Sequence, residues 1–496
     1  MNTVPSLRLA PMDNERSAGR RVAVIGAGFS GTMVAIHLHA LLPPACQVLL
    51  CERDRFACGT AYATPFAHHM LNVRATGMSA FPADSSHFVN WLAARATDRA
   101  GEVMTTEAGA FASRRVFGDY LSELLETARA TAGKRRIALR PGEVVDIERA
   151  GVGFRLHFAD GGVERVGAVV LAMGNLPPPP SGMPGRLADA WSAGATTGLR
   201  PDLPVLIVGT GLTMIDLALQ MRDAGFAAPI IALSRRGLLP RRHRPTTPWP
   251  TPVFTDRERR SLLALLDCVR REVRAAAARG VDWRCVIDSL RPMTADLWCG
   301  LPPRERARFL RHLRPFWDVH RHRLPGPIAD RIDGMRAQGQ LDIRRGRLLD
   351  MRAGESGVEV TARLHGASEP TRFVVQRVID AMGLTGLHGS VDPLAVALMR
   401  RGLARADGLG LGLDVTSTLA VIDASGHAAT QMWALGPVVR GALWECTAVP
   451  EIRVHAVRVA HAVAEAFAER RAPPVGRPRP QPRSAAPCAA WRARTI

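Results

Sequence analysis

The run Gly26-Ala27-Gly28-Phe29-Ser30-Gly31 carries glycines at the spacing that lets backbone, rather than side chains, hold a pyrophosphate. It follows an apolar run at 22–25 and opens a helix-forming run at 30–42, which is the context the motif needs. The first glycine makes the tight turn, the second admits phosphate to the backbone, and the third lets helix and strand pack closely. N–H groups at the helix start, from Phe29 and Ser30 onward, then stabilise the negative charge together with the helix dipole. Glu52, with Arg53 beside it, ends the next apolar run at 47–52, where an acid accepts hydrogen bonds from an adenosine ribose.

A second turn, Gly209-Thr210-Gly211-Leu212-Thr213-Met214, keeps two of the three glycines and puts Met214 at the third, so looser helix–strand packing is expected there. Asp216, just inside its helix, is expected to cap or bond locally. The strand that follows ends on Ser234-Arg235-Arg236 instead of an acid. An acid here would take the 2′-hydroxyl of NAD, whereas serine and two arginines suit a 2′-phosphate, so NADPH is favoured over NADH.

Two further clusters have chemistry-bearing residue types. His320-Arg321-His322-Arg323, after Trp317-Asp318, reads either as a cationic clamp on phosphate or an acidic substrate, or as a buried structural cluster. Two histidines two residues apart lack the further ligands a metal needs, and no metal is expected. Arg241-Arg242-His243-Arg244 lies close after the second cofactor strand and is read with the same two alternatives. No catalytic side chain is assigned.

A doubled order of elements must position these turns. In the first copy, strands at 22–25 and 47–52 flank the turn and helix, hairpin strands follow at 143–148 and 154–158, and a strand at 168–171 ends in Ala172-Met173-Gly174. In the second, strands at 205–208 and 229–234 are followed by hairpin strands at 347–351 and 358–364 and a strand at 374–379 ending in Ala381-Met382-Gly383. The expected fold is α/β, with two Rossmann-like dinucleotide-binding domains, small antiparallel β elements and a helical insertion. The expected divisions are a loose leader at 1–19, a first domain at 20–195 and 375–471, a second at 196–247 and 341–374, an insertion at 248–340 that caps a cleft, and a disordered basic tail at 472–496.

Composition narrows the classes. At 496 residues, with 47% hydrophobic and 22% charged residues, the chain is long enough for two or three globular domains. The net charge of +20 is almost all arginine, Lys134 being the one lysine, and it is dispersed rather than gathered beside stacking aromatics. That argues against nucleic acid and for steering of anionic small molecules. Eight cysteines form no C-x-x-C pair, which removes zinc-ribbon and dithiol readings and leaves the cytoplasm as the default compartment. Arg20-Arg21 before the uncharged stretch 22–51 imitates an export signal or membrane span, but the glycine turn and Pro43-Pro44 within it fit a buried strand and helix. No membrane association is expected.

The stretches GAGFSGTMVAIHL, GTAYATPFAHHMLNV, RRVFGDYL, VLIVGTGLTMIDLAL, SRRGLLPRRHRP, WDVHRHRLP and GPVVRGALWECTAVPEIR fall between about residues 21 and 467. In them the chain resembles bacterial FAD/NAD(P)-binding proteins and, more distantly, flavin-dependent N-hydroxylating and Baeyer–Villiger-type monooxygenases. The resemblance implies FAD at Gly26, Gly28, Gly31 and Glu52, and places Asn72, Arg74 and Met78 beside the flavin. A loop that closes the domain without touching the ring is the alternative for these three. Gly174 and Gly436 close the same site; Leu435-Gly436-Pro437 stands where relatives carry Gly-Asp, so that acidic contact must come from elsewhere. Trp444, Thr447 and Ala448 precede a helix at 450–468 whose N-terminus faces the flavin, and Cys446 reads as packed rather than reactive.

Implied with this is an NADPH-oxidising monooxygenase acting through a flavin C4a-hydroperoxide, with molecular oxygen, on a small amine, amino-acid-like or anionic substrate. The F-x-G-x-x-x-H signature of Baeyer–Villiger-type enzymes has no match in Arg186-Leu187-Ala188-Asp189-Ala190-Trp191. Two alternatives stay open: an NADPH-dependent flavin reductase or dehydrogenase, and a flavin-binding sensor without turnover.

Overall fold

The computed structural model describes residues 18–99, 101–132, 136–383 and 386–469. All but the last two residues of the expected leader, and the whole of the expected tail, lie outside them. Two sheets organise the chain. In the first, six strands run in the order Ala420–Ile422, Ala428–Ala434, Ala168–Leu171, Arg21–Ile25, Gln47–Glu52, Ile137–Pro141. All neighbours are parallel except Ala420–Ile422, which pairs antiparallel. The central strands are apolar because both faces are covered: Val22, Ala23, Val24, Ala168, Val169, Val170 and Leu171 are all fully buried. Helices Phe29–Leu41 and Val449–Glu469 pack against one another on this sheet.

The second sheet orders Arg186–Leu187, Arg377–Asp380, Val205–Val208, Ile230–Ser234, Leu341–Gly354, Gly357–Leu364 and Thr371–Val375. Leu341–Gly354 belongs to two layers at once. Its first residues pair in parallel with Ile230–Ser234, and from Gly346 onward it pairs antiparallel with Gly357–Leu364.

Two expectations are corrected here. The single strand at 374–379 is two strands separated at Gln376, whose side chain instead binds the backbone of Arg200 and Leu203. Arg377–Asp380 lies between Arg186–Leu187 and Val205–Val208, so a division at 375 cuts the second sheet, and residues 186–187 also belong to that sheet rather than the first domain.

The insertion is helical, from Asp256–Arg260 to Gly326–Ala337, with its own small core of Phe254, Cys268, Ile287, Leu290 and Leu297. The helical run expected over 256–279 is broken at Ser261, which leaves helical conformation and caps Leu262–Ala278 by accepting from the Ala264 N–H. No helix among the described residues is long and apolar enough to cross a membrane.

Candidate functional site

Both glycine turns sit where a strand of each sheet feeds a helix, and their backbones match. Gly26 has φ +95° and a Cβ there would lie 2.3 Å from the Ala172 carbonyl oxygen; Gly209 has φ +123° and a Cβ there would lie 2.3 Å from the Ala381 oxygen. Each turn therefore presses on the backbone of the Ala-Met-Gly segment of its own sheet. Gly31 is the most crowded, since a Cβ would come within 1.8 Å of the Gly26 oxygen. Its counterpart Met214 is fully buried in the second core.

Neither helix that follows has a side-chain cap or an acid in its first turn. Phe29–Leu41 and Leu212–Asp223 thus begin without a carboxylate of their own first turn on their N-terminal N–H groups, as phosphate binding demands. Glu52 accepts from the Ala27 N–H at 2.7 Å, the Arg53 N–H at 2.9 Å and the Asp54 N–H at 3.2 Å, tying the first turn to the neighbouring strand end. A carboxylate has about four acceptor positions, so capacity for a ribose hydroxyl remains. The Arg53 side chain points away to Glu143 at 3.1 Å. Gly436, φ +79°, approaches the helix start so closely that a Cβ would lie 2.6 Å from Ser30 Oγ. Gly174, φ +70°, and Gly211 border open space.

At the second turn the hydroxyl protons can be assigned. Thr210 donates to the Leu238 carbonyl at 2.6 Å, so its 2.9 Å contact with Ser234 must be donated by Ser234. Ser234 also accepts from the Gly237 N–H at 3.0 Å. Arg236 donates to the His312 carbonyl at 3.2 Å and lies 4.8 Å from the Phe316 ring centroid, both in the insertion. Arg235 is exposed.

The segment expected beside the flavin divides. Met78 is buried in the first core. Arg74 reaches across to the Thr246 hydroxyl at 3.1 Å and the Arg244 carbonyl at 2.9 Å. The Asn72 carbonyl accepts from His243 Nε2 at 2.9 Å, and burial pulls His243 down to about 4, so it is neutral near pH 7. This segment joins the first domain to the chain leading into the insertion, and Asn72 lines a small interdomain cavity with Arg114, Leu212 and Asp216.

Asp216 caps nothing locally. It is buried and pairs at 2.7 Å with Arg114, which lies 5.4 Å from the Trp191 ring centroid. Burial raises the Asp216 carboxyl to about 6, against the opposing pull of Arg114.

Within the His320–Arg323 cluster, both arginines are buried and ion-paired. Arg321 faces Glu445 at 3.5 Å and Glu451 at 3.7 Å, while the nearly inaccessible Arg323 pairs with Asp288. Trp317 donates to Glu445 at 2.7 Å and Arg291 binds Glu451 at 2.6 Å. Burial pushes the Glu445 carboxyl up, but His322, Arg321 and the Trp317 bond together hold it below the usual carboxylate range. Glu445 has φ +67°, a conformation rare outside glycine, held by this network. Trp444 packs with its ring centroid 4.9 Å from that of Trp298 in the insertion, and the Trp298 indole donates to the Gly441 carbonyl at 2.9 Å. Thr447 is exposed and Ala448 half-buried, just before helix Val449–Glu469. Burial pushes the Cys446 thiol up, consistent with a packed cysteine. Among the described residues no cluster of three or more His, Cys, Asp or Glu could hold a metal.

Sequence reasoning did not single out the Arg114 side chain; its only signal was a place inside RRVFGDYL, which shows nothing of a partner 102 residues away.

Residues 23–176, which include the first glycine turn, match the family model described as FAD-NAD(P)-binding. No curated protein sequence matches the chain. Among solved structures, the fold is similar to ornithine hydroxylase from Pseudomonas aeruginosa, at 17% identity and TM-score 0.60 over 90% of this chain and 99% of that one. It is similar to L-lysine 6-monooxygenase from Pseudomonas syringae, at 16% identity and TM-score 0.61 over 90% and 99%. It is also similar to the cadaverine monooxygenase of Erwinia amylovora, solved with FAD, at 11% identity and TM-score 0.59 over 89% and 94%.

Proposed function

We propose that the protein is an FAD-dependent, NADPH-oxidising monooxygenase that hydroxylates the amino group of a small amine or amino-acid-like substrate. The observation that carries this reading is the pair of matched, uncapped glycine turns on two parallel sheets. They sit in a fold shared with proteins described as acting on ornithine, lysine and cadaverine. FAD fits the first turn: Gly28, Phe29, Ser30 and Gly31 supply the helix start, Glu52 the ribose acceptor, and Gly174 and Gly436 the close backbone. NADPH fits the second, at Gly209 to Thr213 with Arg235.

Bound flavin and nicotinamide supply hydride transfer and oxygen activation. The chain supplies position and exclusion of water. Arg114–Asp216 and the Arg74 and His243 contacts fix one nucleotide domain against the other, which sets the approach of donor to acceptor. The insertion is fastened over the 441–451 segment by Trp298, Trp317, Arg321 and Arg291, covering the side on which the helix Val449–Glu469 begins.

Purified protein supplied with FAD is expected to show a flavin spectrum that NADPH bleaches and oxygen restores, with oxygen uptake coupled to a hydroxylated amine. Bleached flavin that turns over only with an added electron acceptor, with no hydroxylated product from any of ornithine, lysine or cadaverine, would replace the hydroxylase reading with a reductase. No flavin band after FAD addition would remove both.

Arg235→Ala is expected to raise KM for NADPH by roughly 10- to 100-fold, as loss of charge-assisted phosphate bonds implies. KM for NADH should move less than twofold, and equal changes in both would contradict a 2′-phosphate contact.

A further inference from the structure

We propose that Arg345 is the second arm of the 2′-phosphate clamp, opposite Arg235, and that Ser234 shapes the turn instead of binding the phosphate. This rests on the NADPH reading of the second site. Arg345 closes the parallel part of its strand and is the register partner of Ser234, so it stands at the carboxyl ends of the strands, where open α/β sheets bind ligands. It also touches the turn itself. At Gly237, φ +61°, a Cβ would lie 3.1 Å from Arg345 Cβ, so glycine lets the turn rest directly on this residue.

The basic residues next to Arg345 and Arg235 in the chain, Arg344 and Arg236, are committed elsewhere. Arg344 pairs with Asp342 at 2.7 Å and lies 4.8 Å from the Phe373 ring centroid. Arg236 is held by His312 and Phe316 of the insertion. The single Ser234 proton goes to Thr210, and its oxygen already accepts from Gly237, so it has no donor for a phosphate oxygen. Arg235 and Arg345 are both exposed, and neither side chain has an ion pair or hydrogen bond among the described residues. Two exposed guanidinium groups on neighbouring strands, where the parallel pairing of the sheet ends, match a dianion, which one arginine satisfies only in part.

The test is titration calorimetry of the full chain with adenosine 2′,5′-bisphosphate and with 5′-AMP, which needs no turnover. Arg345→Gln is expected to weaken the bisphosphate by roughly tenfold or more while shifting 5′-AMP less than twofold. Arg345→Lys should restore part of the loss, and Arg236→Gln should change the bisphosphate less than Arg345→Gln does. Unchanged bisphosphate affinity in Arg345→Gln, with wild type still preferring the bisphosphate over 5′-AMP, would overturn the role of Arg345 alone. A wild type with no such preference would overturn the NADPH reading and the clamp together. Because Arg345 is exposed, its variants should melt with the wild type; an unshifted melt with lost affinity separates binding from folding.

Discussion

Gly31→Ala is expected to give no soluble flavin-binding protein, whereas Gly28→Ala is expected to fold and bind flavin poorly. The two glycines belong to one motif but do different work. At Gly31 an added Cβ would stand 1.8 Å from the Gly26 oxygen, 3.0 Å from the Gly26 carbon and 3.2 Å from Val24 Cγ1. The first two are backbone atoms of the turn, so the helix must leave the central strand, breaking contacts among fully buried Val22, Val24, Met33 and Val34. Overpacking in a tight core costs about 1–3 kcal/mol even when side chains can move, and here backbone must move. At Gly28 the nearest atom to an added Cβ is Gly59 Cα at 3.5 Å, an ordinary contact. A methyl group there occupies the space through which a pyrophosphate reaches the helix N-terminus. Soluble yield and melting temperature report the first variant, and FAD titration the second. Gly31→Ala melting with the wild type would contradict the packing, and Gly28→Ala with unchanged FAD affinity would remove the phosphate from this turn.

The same contrast explains what could be read from the chain. A turn that collides with a carbonyl 146 residues away leaves its mark locally, as glycine. The alternation and apolar runs of the parallel strands are likewise local, so strands at 47–52, 168–171 and 205–208 are legible to the residue. Met214 stands where the first turn has its third glycine, and it is fully buried, so a packed side chain fills that place in the second turn.

What depends on distant partners was not legible. The break at Gln376 comes from its bonds to Arg200 and Leu203, and the capture of Arg236 comes from Phe316 and His312. In a chain so rich in arginine, an Arg that stacks, one that is buried against Glu445 and one that faces solvent look alike. Pairing distinguishes them, and pairing across more than fifty residues has no periodicity.

Arg114→Met is expected to destabilise the protein by about 3–5 kcal/mol, since removing one member of a buried ion pair strands the other. Both side chains are enclosed, at 15% and 9% exposure, and they join the helix Leu212–Asp223 of the second domain to the first. The penalty must depend on pH, with a definite sign. The Asp216 carboxyl is raised from 3.8 to about 6 by burial, despite Arg114. A raised acid favours the folded state fully below pH 3.8 and loses that contribution as pH rises through about 6. Removing Arg114 takes away the influence that opposes burial, so ionised Asp216 becomes harder to keep. The loss in Arg114→Met should therefore be larger at pH 7.5 than at pH 5. Asp216→Asn, which never ionises, should lose least relative to wild type at the higher pH, and the double variant should recover part of what Arg114→Met loses. Denaturant melts at the two pH values, with hydrogen exchange of helix Leu212–Asp223 to localise the effect, give the comparison. A penalty for Arg114→Met that is the same at pH 5 and 7.5 would mean that Asp216 carries no buried charge. The domain junction would then rest on the Arg74 and His243 contacts, the His68–Asp223 contact and apolar packing.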